Sequence, residues 1–85
     1  MADVELQEDT VLDCRGLLCP MPVVRTGAAV AALEAGQVVK VMVTDRGAIA
    51  DIPAWAEDTG NTLLGWRRES DHLVFYLRKE DRQPD

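Results

Sequence analysis

The sequence predicts an α/β fold, a two-layer α/β sandwich in which two helices cover one face of a four-stranded mixed sheet in the order β-α-β-α-β-β. Three observations lead to it. Two helix-like stretches with stop signals alternate with β-branched runs, the chain has only 85 residues, and its last third reads as two short strands parted by Ser70-Asp71. With two helices and one small sheet, both helices can lie on the same face. A chain of this length has apolar surface for one core, so residues 1–85 are read as a single domain. Its ordered part runs from about 10 to about 79, between a flexible acidic N-terminus and a flexible polar C-terminal tail.

The first strand is the apolar run ending in Val11-Leu12-Asp13, stopped by Arg15-Gly16 and a loop that reaches Cys19. A helix follows. Pro20 and Pro22 sit in a first turn that tolerates missing N–H groups, Val23 to Ala35 is Ala-rich with Val23, Val30 and Leu33 near one face, and Gly36 closes it. From Val38 to Thr44 the pattern alternates, Val39, Val41 and Val43 against Lys40, Met42 and Thr44, which marks a half-buried strand. Asp45-Arg46-Gly47 turns the chain into a second helix, Ala48 to Thr59, which Pro53 either kinks or restarts with Asp51 as its cap; Gly60-Asn61 ends it. Thr62 to Glu69 and His72 to Leu77 form a hairpin with Leu73, Phe75 and Leu77 on one face. Right-handed βαβ crossovers make the first two strands parallel, so the Cys19 loop and the Asp45-Arg46-Gly47 turn should meet on one rim.

Charge narrows the function. The formal net charge is -6, so the field of the whole molecule repels phosphate and favours neither nucleic acid nor an anionic membrane. Arg67, Arg68, Arg78, Lys79 and Arg82 gather in the last third, where they read as a solvated strand face that discourages edge pairing. The N-terminus is acidic and lacks the basic and apolar regions of a secretory signal, and no segment has the apolar length of a membrane span, which predicts a cytoplasmic location. There, two cysteines are better read as thiols than as a permanent disulfide.

The chemistry centres on Cys19-Pro20-Met21-Pro22. If Cys19 is the N-cap, Pro20 is the first helical residue and the thiol stands at the helix mouth. The N–H groups of Met21 and Val23 can then point at the sulfur, and the helix dipole, with Arg15 and Arg25 near in sequence, favours a thiolate or persulfide anion. That describes a carrier cysteine without a dedicated general base. Other chemistries lack their parts. The lone His72 completes no Cys-His-Asp arrangement, two cysteines and one histidine fall short of a structural zinc site, and there is no Gly-rich phosphate loop.

The residues Leu12-Asp13-Cys14-Arg15-Gly16-Leu17-Leu18-Cys19-Pro20-Met21-Pro22 resemble the signature of the TusA family, also called SirA-like, of small sulfur-transfer proteins. The resemblance continues through the strand ending at Asp45, through Asp51-Ile52-Pro53-Ala54-Trp55, and into the closing hairpin. It implies a persulfide held on Cys19, with no other cofactor and no metal. It also implies a rhodanese-like or cysteine desulfurase donor and an acceptor that is another protein's cysteine, of DsrE type or similar. Family pathways include tRNA thiolation, molybdenum cofactor synthesis and sulfur oxidation, and the form Leu-Asp-Cys-Arg-Gly-Leu looks more like the last. Gly27 and Ala28 stand where family members often carry a Lys or Arg pair.

Around Cys19, the motif residues Arg15, Gly16, Pro20, Met21 and Pro22 are read as its support. Arg25, Asp45, Arg46 and Asp51 are candidates for partner docking or for orienting the thiol, with turn residue the favoured reading of Asp45 and helix cap that of Asp51. Cys14 is either packed and inert or a second thiol that resolves the persulfide. Two further functions stay open: a dithiol module cycling Cys14 and Cys19 through a disulfide, and a regulatory or interaction module that transfers nothing.

Overall fold

A computed structural model describes residues 7–81. The elements are β1 (Thr10–Cys14), α1 (Met21–Ala31), β2 (Val38–Val43), α2 (Ala48–Thr59), β3 (Thr62–Arg68) and β4 (Leu73–Arg78), the predicted order. The sheet runs β1-β2-β4-β3, with β1 parallel to β2 and the other two pairings antiparallel. It is the two-layer, mixed-sheet fold that the sequence pattern implies. The expectation of flexible ends falls, for residues 1–6 and 82–85, outside the described residues.

Period-two alternation decides which face is buried. Val39, Val41 and Val43 of β2 and Phe75 and Leu77 of β4 are fully buried and pack with Val30 and Leu33 from α1 and its exit and with Ile52 and Ala56 of α2. Both helices therefore cover one face, where apolar side chains leave water. The opposite face carries a smaller cluster of Val38, Val74 and Tyr76 with Met42 and Leu64. Arg67 spreads over it, its guanidinium 5.5 Å from the Tyr76 ring centroid. Tertiary packing also re-registers β3. The pairing slips between Leu63 and Gly65, which leaves Leu63 opposite Leu77 and Trp66 opposite Phe75. Without that bulge Leu63 and Trp66, three residues apart, would point to opposite faces. Instead Trp66 stacks on Phe75 with ring centroids 5.7 Å apart.

Helix limits differ from the sequence pattern. α1 ends at Ala31 rather than Ala35, and the Lys79 ammonium accounts for the early stop by donating to the carbonyls of Ala31 (3.2 Å) and Leu33 (2.7 Å). A cation at a helix C-terminus satisfies carbonyls that no further turn would reach. Gly36 donates to the Lys79 carbonyl and Lys79 to the Gln37 carbonyl, so the end of β4 is tied to the exit of α1. α2 runs unbroken from Ala48 through Pro53, with Gly47 and not Asp51 as its N-cap. Tightened bonds from Ala48 to Asp45 and from Ile49 to Arg46 open that helix, and Gly60 closes it in the left-handed conformation, φ 77°.

Gly27 faces the second helix, and a Cβ built on it would stand 3.6 Å from Trp55 Nε1, an ordinary contact. Because glycine inside a helix costs conformational entropy that alanine does not, Gly27→Ala should raise stability by about 0.5–1 kcal/mol. Ile52→Ala, which empties a fully buried site, should lower it by about 2–5 kcal/mol. Urea unfolding of both variants checks the pair, and a destabilised Gly27→Ala would mean that the helices already touch too closely for a methyl group.

Candidate functional site

The site forms where β1 and β2 end side by side. Their parallel register places Cys14 opposite Val43, so the loops leaving both strands start on the same rim. Gly16, at φ 84°, takes a conformation that residues with a Cβ seldom adopt. That turn aims its N–H at Thr44 Oγ1, 2.8 Å away. Three residues on, the Cys19 N–H donates to Asp45 Oδ2 at 2.7 Å, while Asp45 Oδ1 accepts the Gly47 N–H at 3.0 Å. Asp45 is thus the turn residue the sequence suggests and also the clamp that joins the two loops.

Cys19 is not the N-cap. That position is Pro20, and the helix starts at Met21 with Pro22 in its first turn; the Cys19–Pro20 peptide is cis. The Met21 N–H does not point at sulfur but closes a turn on the Leu18 carbonyl at 2.9 Å. The charges near the thiol also differ from the sequence reading. Arg15 is turned back on Asp13, donating through Nε and a terminal nitrogen at 2.9 Å each. The same contacts hold the Asp13 carboxyl down at about 2. Arg25 acts on Cys14, where it partly offsets the burial that pushes that thiol's pKa up.

Carboxylates face Cys19 instead. Its Sγ donates to Asp51 Oδ2 at 3.5 Å, across 32 residues of chain and from the first turn of α2. The Asp51 hydrogen bond, desolvation and the charges of Asp51 and Asp45 together push the Cys19 pKa up rather than down. A neutral S–H is the form such a neighbour favours. The expectation of a thiolate at a helix mouth, favoured by Arg15 and Arg25, is therefore corrected, because the nearest charges come from the β2 to α2 segment and are negative. Sequence reasoning named Asp45 and Asp51 but favoured turn and cap roles. A signal for the thiol contact was present: Asp51, one turn into α2, lies just past the turn that shares Cys19's rim.

The two thiols have opposite surroundings. Cys14 is 0% exposed inside the main core cluster, whereas Cys19 is exposed and both are free. Besides these carboxylates, the loop and first helical turn that carry Cys19 expose apolar side chains, Leu18 at 72% and Val24 at 54%, with Met21 also exposed. Arg46 and Arg68 line an open cleft of about 270 Å³ on the same rim, together with His72, whose Nδ1 lies 2.6 Å from Asp71 Oδ1. The other cations of the last third are engaged: Arg67 with Glu69, Arg78 with Glu80, and Lys79 with α1. Arg82 lies outside the described residues. Among the described residues no three His, Cys, Asp or Glu side chains converge as metal ligands, and no helix is long and apolar enough to cross a membrane.

Comparison with known proteins bears on this rim. The profile of the family described as sulfurtransferase TusA matches residues 10–79. The chain is 46% identical over 74 residues to the putative sulfur carrier protein YrkI of Bacillus subtilis, covering 87% of this chain and 99% of that one. It is 38% identical over 71 residues to the sulfur carrier protein TusA of Allochromatium vinosum, covering 84% and 93%. In two longer relatives the matched region is 37% and 38% of their length. Among solved structures, a SirA-like protein of Desulfitobacterium hafniense superposes with a TM-score of 0.74 at 27% identity, covering 85% of this chain and 99% of that one.

The contrast between the thiols has a direct readout. Alkylation of the native protein should modify one cysteine, mapping to Cys19, with a rate that still climbs above the pH at which an ordinary thiol is ionised, because its carboxylate neighbours raise its pKa. Cys14 should react only after unfolding. Intact-mass and peptide mapping check both; two fast-reacting thiols would contradict the burial of Cys14.

Proposed function

The chain belongs to the TusA family of sulfur carrier proteins, and from that premise we propose that Cys19 is the residue that takes on sulfur, as a persulfide, and hands it to a cysteine of a partner. Sulfur carriers work between other proteins, so the reaction is a relay. A donor's persulfide presents its outer sulfur, the Cys19 sulfur attacks it, the donor sulfur leaves with the electron pair, and the proton lost by Cys19 ends on the donor. Transfer out is the same exchange run toward an acceptor thiol. No net oxidation occurs.

The observation that supports this reading is the pairing of an exposed Cys19, inside Cys-Pro-Met-Pro, with a second thiol that is fully buried. A dithiol cycle would need the Cys14 sulfur drawn out of the core, and a metal-free thiol relay needs only the accessible one. Arg15, Gly16, Pro20 and Pro22 support the loop, and Leu18 and Met21 offer apolar contact to the partner, with Arg25 and Arg46 at the margins as docking charges. The donor is of rhodanese or cysteine desulfurase type and the acceptor of DsrE type or similar, in the cytoplasm, with sulfur oxidation the favoured pathway and tRNA thiolation or molybdenum cofactor synthesis the alternatives.

Loading the reduced protein from a rhodanese or a desulfurase with its sulfur source tests the reading by intact mass. Wild type and Cys14→Ser should gain about 32 Da, reversed by reductant, while Cys19→Ser should gain nothing. If Cys14→Ser also fails and wild type instead loses two protons on oxidation, the dithiol module replaces the carrier.

A further inference from the structure

Among the described residues Asp51 makes one side-chain hydrogen bond, the one it accepts from Cys19 Sγ. It does not cap α2, whose N-cap is Gly47 with no side-chain bond. A carboxylate in the first turn of a helix, free of capping duty and joined to a thiol from a distant loop, has a consequence once that thiol changes charge.

We propose that Asp51 is a positioning residue that drives sulfur off the carrier: it accepts a hydrogen bond from the empty Cys19 thiol, and it faces an anion with no hydrogen to share when the persulfide is in place. The proposal rests on Cys19 being the sulfur-bearing residue. A persulfide is more acidic than a thiol and is anionic at neutral pH. Loading therefore exchanges S–H···carboxylate attraction for repulsion between like charges.

The balance of the unloading step shows where Asp51 acts. The acceptor's sulfur attacks the outer sulfur of Cys19-S-S⁻, a new S–S bond forms, and the bond to Sγ breaks with its electron pair going to Sγ. The proton that the acceptor thiol brought ends on Sγ, and the products are Cys19-SH and the acceptor's persulfide anion. That proton is the one Asp51 then receives in a hydrogen bond. The empty state is favoured on both counts.

Among the described residues no cation is among the groups that shift the Cys19 thiol, and Arg46, on the same segment as both carboxylates, lines the cleft with Arg68 and His72. From the β2 to α2 segment Asp45 adds a second carboxylate near Cys19. On the thiol's own loop Arg15 is held by Asp13, and Arg25 of α1 acts on Cys14. The raised Cys19 pKa has the sign that this arrangement requires.

The full chain carrying Asp51→Asn, with Asp51→Glu as the conservative variant, tests the proposal by two readouts. The first is the rate of Cys19 alkylation by iodoacetamide from about pH 6 to about pH 10, across the range of thiol ionisation. Asp51→Asn should move the profile to lower pH and raise the neutral rate severalfold, and Asp51→Glu should move it back toward wild type. A base that assists the sulfur would give the reverse, a slower Asn variant at neutral pH, and would overturn the proposal. The second is the partition of sulfur between the protein and glutathione persulfide at equilibrium, read by intact mass. Asp51→Asn should hold severalfold more sulfur than wild type; an unchanged partition in a protein that loads overturns the proposal alone. A wild-type chain that takes no sulfur at Cys19 overturns the reading beneath it, and the two failures are distinct.

Discussion

The parallel pairing of β1 with β2 is the constraint on which the site depends. Register sets Cys14 beside Val43, and only then do the loops that follow begin close enough for Gly16 to reach Thr44 and Cys19 to reach Asp45. β1 is a five-residue edge strand with one neighbour, so β2 and the helices behind it fix where the thiol loop starts. A parallel pair needs a crossover, and α1 is that crossover. The reactive loop is thus the front end of the same segment that closes the fold. Core packing and site geometry are not separable here: a change that loosens α1 against the sheet also loosens the loop that carries Cys19.

The two thiols show how one strand end serves both needs. Cys14 is the last residue of β1 and points into the core, where burial holds it neutral. Five residues later the chain has turned through Gly16, and Cys19 stands in water with its backbone clamped. Asp45 performs that clamping with one oxygen while its other oxygen fixes the turn into α2. One side chain therefore sets the relative position of the thiol loop and of the helix turn from which Asp51 reaches the sulfur.

Much of this could be read from the sequence. The alternation of Val39, Val41 and Val43 and of Leu73, Phe75 and Leu77 is a local signal that survives tertiary context, because burying one sheet face demands it. From it follow the strands, the shared rim and the meeting of the two loops. What local pattern could not show depends on long-range partners. Lys79 caps the early end of α1 from 46 or more residues away, the bulge in β3 puts Leu63 and Trp66 opposite Leu77 and Phe75, and Pro53 is accommodated inside α2 without breaking it. The thiol's electrostatics were misjudged for the same reason. Arg15 is near Cys19 in sequence but nearer Asp13 in space, whereas the charges that matter are 26 and 32 residues away.

That misjudgement separates two ways of building a reactive cysteine. A sulfur at a helix mouth with cations around it has a low pKa and is always ready; its thiolate is also the weaker nucleophile and the better leaving group. A sulfur held by carboxylates is scarce as thiolate at neutral pH but intrinsically more nucleophilic when formed. The first suits an enzyme that attacks whatever enters its cleft. The second suits a carrier, whose thiol is exposed between encounters and should neither oxidise nor exchange with passing disulfides. A partner docked against exposed Leu18, Met21 and Val24, as proposed, would exclude water from Asp51 and Asp45 as well as from sulfur, and so strengthen every charge effect at the site. The repulsion proposed for Asp51 would then act most strongly in the complex where the sulfur has somewhere to go.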